Sequence, residues 1–149
     1  MVMGVGDRRA SGLSTGFGPV TVLLDTHFVI WLVLGSKRLA RFPWVERHRP
    51  WGISPVSFLE IQFLAEIGRL SVRNPEFTRA VMEDPRFTVD DIPLVTAIRH
   101  ALGLTWTRDP FDRMLVAHSL ARRVPLCTTD RDIRSHHRLI AIEQKPHAH

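Results

Sequence analysis

Thr21-Val22-Leu23-Leu24-Asp25 decides how the rest of the chain reads. Two β-branched residues and two leucines make a short apolar run, and a carboxylate ends it. That is the pattern of a buried strand with an acid at its carboxyl end. Residues 28–34 form a second apolar run, stopped by Gly35, which reads as a short helix. An acid held between two apolar segments is largely buried, and burying a carboxylate is costly unless it is paired.

Downstream the alternation repeats. Ser36 caps a predicted helix over residues 37–47, ahead of Pro50. Residues 51–54 read as a second strand. Residues 57–69 read as a helix whose Phe58, Ile61, Phe63, Leu64 and Ile67 cover a broad apolar face. A shorter helix is predicted over 76–82, a third strand over 87–89, and a helix over 94–102 between Pro93 and Gly103. Residues 110–122 form another helix, with Phe111, Met114, Leu115 and His118 on one face. A fourth strand over 124–128, a helical turn over 132–137 and an edge strand over 139–142 complete the pattern. Strands alternating with helices predict an α/β domain with a parallel sheet and right-handed crossovers. Upstream, residues 1–19 are punctuated by Gly4, Gly6, Gly12, Gly16 and Gly18 and read as a flexible N-terminal extension. The domain is expected to span 20–143, with 144–149 as a C-terminal tail.

Composition narrows the class. At 149 residues the chain is long enough for one core and too short for two. With 44% hydrophobic and 23% charged residues, disorder of the bulk is excluded. The longest apolar run, 28–34, falls far below the ~20 residues a membrane-spanning helix needs. The first twenty residues lack the apolar core of a secretory signal. A single cysteine, Cys127, excludes a disulfide framework and a cysteine-rich zinc site and reads as a small buried hydrophobe. A cytoplasmic protein without membrane attachment is expected. The net charge is +5, and all basic residues except Lys37 and Lys145 are arginines. Arginine grips phosphate bidentately, so a nucleic-acid partner is compatible; codon bias explains the same excess.

Ligands bind parallel sheets outside the carboxyl ends of the strands, so the placement of the acids matters. Asp25 follows the first strand and Asp130 the fourth, in Cys127-Thr128-Thr129-Asp130. Glu60, in the first turn of the helix after the second strand, points at the same rim. Asp112 opens the helix leading into the fourth strand, where the crossover rule alone does not place it. Each has an ordinary explanation. Ser57-Phe58-Leu59-Glu60 matches a capping box. Asp109-Pro110-Phe111-Asp112 matches an N-cap followed by proline and a first-turn acid. Asp25 and Asp130 fit turn residues. Taken together, the four read as a metal site, because Mg²⁺ and Mn²⁺ take a few carboxylates plus water. A divalent cation also relieves the repulsion among gathered acids. Four carboxylates without a nucleophile motif point to phosphodiester hydrolysis by metal-activated water.

Four blocks carry a family resemblance. Val22-Leu23-Leu24-Asp25-Thr26-His27 resembles the opening of PIN-domain nucleases, particularly the VapC-like toxins of type II toxin–antitoxin systems. Ser54-Pro55-Val56-Ser57-Phe58-Leu59-Glu60-Ile61 resembles their second block. Arg108-Asp109-Pro110-Phe111-Asp112-Arg113-Met114-Leu115-Val116-Ala117 resembles the third, and Thr128-Thr129-Asp130 the fourth. The resemblance implies a three-layer α/β/α sandwich with a central, mainly parallel sheet. It implies an endoribonuclease dependent on Mg²⁺ or Mn²⁺, with Asp25, Glu60, Asp112 and Asp130 as metal ligands and catalytic residues. It also implies RNA as substrate, a homodimer and a cognate antitoxin protein. The alternatives are a PIN-like nuclease in RNA processing or on DNA without an antitoxin, and an inactive module that binds RNA or protein. The chain departs from the pattern at Leu59, where many relatives carry Trp, and at Thr107, where many carry His.

Other residues near these blocks have two readings each. Thr26 and Thr129 fit either turn residues or hydroxyls bonded to a carboxylate or to metal-bound water. Arg113 fits a phosphate grip, a carboxylate-orienting role or a surface ion pair. Asp132 reads as an acid behind the ligand set or a structural one, and Asp109 as the helix cap. His27 and His118 read as structural, His136 and His137 as surface residues. Arg108, Arg131 and Arg134 are further phosphate candidates. Trp31, Leu32, Leu39 and Trp44 fit a dimer surface, an antitoxin surface or the core.

Overall fold

The strand at Val22–Leu24 (β1) lies inside a four-stranded, fully parallel sheet. Trp51–Ile53 (β2) pairs with it on one side and Leu126–Cys127 (β4) on the other; Phe87–Val89 (β3) pairs with β2. The order is β3-β2-β1-β4. Val22 and Leu24 join Trp51, Ile53 and Phe87 in one apolar cluster, while Leu23 and Leu126 belong to a second. A sheet buried on both faces reads as a continuous apolar run, which is why residues 21–24 do not alternate. At Gly52 a Cβ would sit 3.0 Å from the Val22 carbonyl oxygen and 3.2 Å from the Val20 side chain, so a larger residue would press on β1. The computed structural model describes residues 20–144.

Helices cover both faces. Thr26–Leu34 (α1), Val56–Glu66 (α2) and Glu76–Glu83 (α3) contribute Phe28, Ile61 and Val81 to the first cluster. Pro110–Arg122 (α5) and Arg131–His136 (α6) contribute Leu115, Val116 and Ile133 to the second. Leu94–Ala101 (α4) packs on α5. The result is the expected three-layer α/β/α sandwich. Gly35 ends α1 at φ +64, a conformation glycine adopts without a Cβ penalty.

Two predicted elements form differently. The helix expected over 37–47 is two short 3-10 helices, Lys37–Arg41 and Pro43–His48. Pro43 supplies no N–H and pushes Phe42 out of the helical region, to φ −132. The edge strand expected over 139–142 reduces to one parallel bridge between Leu126 and Ile140. The chain then turns into a 3-10 helix at Ile142–Gln144. There the Gln144 amide takes the place of a neighbouring strand: Oε1 accepts the Thr128 N–H at 3.0 Å and Nε2 donates to the Thr128 carbonyl at 2.6 Å. Gln144, expected to open the tail, is thus buried in the domain. The extension over 1–19 and the rest of the tail lie outside the described residues. Among those described, no helix is long and apolar enough to cross a membrane.

The strand order sets the site. β1, β2 and β3 run outward to one side, and β4 returns to the other side of β1. A crevice therefore opens at the carboxyl ends of β1 and β4, where Asp25 and the loop before α6 emerge.

Candidate active site

A cavity of about 480 Å³ opens at that crevice, lined in part by Asp25, Glu60, Asp112 and Asp130. The four carboxylates come from four places in the chain, and each arrives for a local reason. Asp25 caps α1 by position, makes no side-chain cap bond, and is only 7% exposed. Its Oδ2 instead accepts the hydroxyl of buried Thr128. Thr128 in turn accepts the Asp130 N–H at 3.0 Å. One hydroxyl thus couples the ends of β1 and β4. Asp130 caps α6, its Oδ1 accepting from the Ile133 N–H at 2.9 Å.

Asp112 is free because Asp109 does the capping. Asp109 Oδ1 accepts from the N–H groups of Phe111 at 2.8 Å and Asp112 at 3.1 Å. Glu60 is free for a different reason. α2 begins one residue earlier than predicted, with Pro55 at the cap position and no side-chain cap bond, so the capping box does not form. Ser57 lies buried inside the helix, where its Oγ accepts the Thr26 hydroxyl at 2.9 Å.

The electrostatics are those of crowded acids. Burial is the largest cause raising the carboxyl of Asp25, which the Thr128 hydrogen bond opposes. Burial also raises Glu60, opposed by the nearby Thr26 hydroxyl, with Asp25 adding repulsion. Asp112 is pushed up to about 7, by burial first and then by Asp109, Asp130, Asp25 and Glu60. None of the four makes a salt bridge among the described residues, although the chain carries a net charge of +5. An all-oxygen donor set that no salt bridge neutralises fits a hard divalent cation. The acids do not close into a cage: among the described residues no three His, Cys, Asp or Glu side chains converge on one ion position. Mg²⁺ tolerates this openness, since it keeps several waters and is held through one or two carboxylates plus substrate phosphate.

The PIN domain family model matches residues 22–139. The chain belongs to the PIN-domain family. Over 120 residues it is 32% identical to Ribonuclease VapC22 of Mycobacterium tuberculosis, covering 78% of this chain and 92% of that protein. Two solved structures share the fold. A toxin-antitoxin complex from Klebsiella pneumoniae aligns with TM-score 0.59 at 16% identity, over 84% of this chain and 99% of the matched chain. VapBC2 from Rickettsia felis, bound to a DNA fragment from its promoter, aligns with TM-score 0.56 at 13% identity, over 80% and 95%.

In this PIN domain the remaining predicted residues divide. Thr129 lines the cavity, and so does His27, which is exposed with its ring 6.2 Å from that of Trp31. Thr26 is buried behind the site on Ser57. Arg113 does not reach the cavity: its Nε donates to the Thr107 carbonyl at 2.7 Å, holding the loop before α5. Asp132 is exposed on α6 and also does not line the cavity. Arg131 and Arg134 line a neighbouring cavity of about 630 Å³ together with Arg138. His137, expected at the surface, is buried against Ser119 Oγ at 2.8 Å, and burial lowers its ring to about 4. His118 is buried, as read. Leu32 is core, whereas Trp31 lines the cavity with Arg38, Arg41 and Phe42.

Sequence reasoning passed over Thr128. The available signal was a hydroxyl residue two positions before an acid at a strand end. Thr128→Val keeps the shape and deletes the bond to Asp25. If Asp25 holds a cation, losing the hydrogen bond behind it should cost roughly 10–100-fold in metal affinity or activity. Rates of RNA cleavage against Mg²⁺ concentration check this; an unchanged Mg²⁺ dependence would show that Asp25 does not rely on Thr128.

Proposed function

We propose that this chain is the ribonuclease toxin of a toxin–antitoxin pair, hydrolysing RNA phosphodiester bonds in the cytoplasm with Mg²⁺ or Mn²⁺. The observation that carries the reading is the convergence of Asp25, Glu60, Asp112 and Asp130 on one cavity at the sheet's carboxyl edge, in a PIN domain related to a ribonuclease. These four residues would hold the cation. Once bound, a divalent cation lowers the pKa of water and neutralises charge on the phosphate. The chain's own residues prepare the site. Thr128 fixes Asp25, Asp109 spares Asp112 from capping, and Asp130 keeps one oxygen beyond its cap bond. His27 faces the cavity beside Asp25 and Glu60 and favours their ionised forms.

An antitoxin partner is supported by the toxin-antitoxin complex whose fold this chain shares. A basic side chain from such a partner would compete with the cation for the acids. A homodimer is supported by exposed apolar side chains on α2 and α4. Leu59 and Phe63 on α2 and Leu94 and Ile98 on α4 are all exposed, and Leu59 and Leu94 line one cavity. Faces of this kind mark association surfaces.

The test is cleavage of a labelled RNA by protein free of contaminating nuclease. Products are expected with Mg²⁺ or Mn²⁺ and none with a chelator, with a sequence-matched DNA left intact. RNA left intact across both metal titrations would overturn the reading.

A further inference from the structure

The cavity has two chemically different walls. Besides the acids, Trp31, Phe42, Arg38 and Arg41 line it. The rings of Trp31 and Phe42 are nearly parallel, 7° apart in plane with centroids 6.1 Å apart. Both rest on buried Phe28, at 5.2 Å and 5.1 Å between centroids, so the aromatic surface is anchored in the core. The Arg38 guanidinium lies 5.7 Å from the Trp31 ring centroid. Arg38 and Arg41 are exposed, and neither makes a salt bridge among the described residues. Neither is named among the main causes that shift Asp25, Glu60 and Asp112.

An anchored aromatic surface flanked by unpaired arginines is the chemistry that holds single-stranded nucleic acid. Each base has a face to stack, and each phosphate takes a guanidinium. We propose that Trp31 and Phe42 stack an unpaired RNA base next to the cleaved bond, while Arg38 and Arg41 grip neighbouring phosphates. The proposal rests on the nuclease reading and adds a selection rule to it. A base inside a duplex has both faces covered, so this wall selects unpaired RNA. A protein partner with an apolar segment is the rival occupant. The arginines beside the aromatics and the continuity with the acidic wall favour RNA.

The experiment measures binding, not cleavage, on the full chain carrying Asp112→Asn. The probe is a short fluorescein-labelled single-stranded RNA of mixed sequence, with the same RNA annealed to its complement for comparison. The single strand is expected to bind more tightly than the duplex and to quench tryptophan emission. Trp31→Leu should weaken single-strand binding by roughly 5–100-fold and remove that part of the quench, and Trp31→Phe should restore most of the affinity. Arg38→Gln with Arg41→Gln should make the salt dependence shallower by about 1.4 in log–log slope. If Trp31→Leu does not fold, the quench in the parent and the salt slope of the arginine pair decide. Unchanged affinity in folded Trp31→Leu, or an unchanged slope in the arginine pair, overturns the proposal, and a wall serving only a protein partner would give that result. Cleavage by the wild-type chain is scored separately. A chain that cleaves RNA while these variants bind it normally therefore leaves the nuclease reading standing.

Discussion

Asp112→Asn should lower RNA cleavage by more than about 100-fold and at the same time stabilise the fold. The loss follows from the role assigned to the carboxylate. Removing a residue that merely supports a metal ligand costs roughly 10–100-fold, so removing the ligand should exceed that range. The gain in stability follows from electrostatics. Asp112 is raised to about 7 by burial and by four neighbouring carboxylates. An acid whose folded-state pKa is raised binds its proton more tightly when folded, so its ionised form opposes folding at neutral and higher pH. Asn has the same shape and no charge. Melting without metal at pH 8 should rise by about 2–5 °C, and the difference should shrink toward pH 5, where Asp112 is protonated in the wild type. Active and unshifted Asp112→Asn protein would place the chemistry elsewhere.

Asp90→Ala should have the largest effect on stability. Asp90 is fully buried at the end of β3. Its Oδ2 meets His118 Nε2 at 2.8 Å and accepts from Arg122 Nε at 2.8 Å; its Oδ1 accepts from Arg122 Nη2 at 2.9 Å. His118 Nδ1 reaches Ser54 Oγ at 3.0 Å. The network ties α5, which carries Asp112, to the carboxyl ends of β2 and β3. Breaking a buried charged pair by deleting one partner costs roughly 3–5 kcal/mol, which urea unfolding would read directly; a loss below about 1 kcal/mol would show that the network is dispensable. Burial alone would raise the Asp90 carboxyl, but His118 and Arg122 overcome it and hold the group below its usual range. Its contribution is therefore complete above the unfolded-state value of about 3.9 and fades as pH falls through the lower folded value. The wild-type advantage over Asp90→Ala should narrow only in strong acid.

The sheet was legible because both its faces are buried. Apolar runs such as 21–24 and 87–89 have no other use in a chain of this size. Asp25 was legible for the same reason, since it ends the first run, and Asp130 because it follows the fourth strand after two threonines. Asp112 was not placed by any local rule. It reaches the cavity because α5 is held by the Asp90 network, a contact between residues 28 and 32 positions apart. The Ser57–Glu60 spacing misled in detail, because Thr26 from α1 claims the Ser57 hydroxyl that a capping box would use. The Gln144 side chain replacing a strand, and the Trp31–Phe42 wall, depend on side-chain contacts across irregular segments that no periodicity or capping rule specifies.

Anomalous diffraction from a crystal of this protein soaked in Mn²⁺ would show directly whether the four carboxylates hold a cation. A peak is expected in the cavity bounded by Asp25, Glu60, Asp112 and Asp130, within coordination distance of carboxylate oxygens, and it should be lost in Asp25→Asn. A crystal that takes up Mn²⁺ only elsewhere, with these four side chains free of it, would rule out the metal site proposed for them.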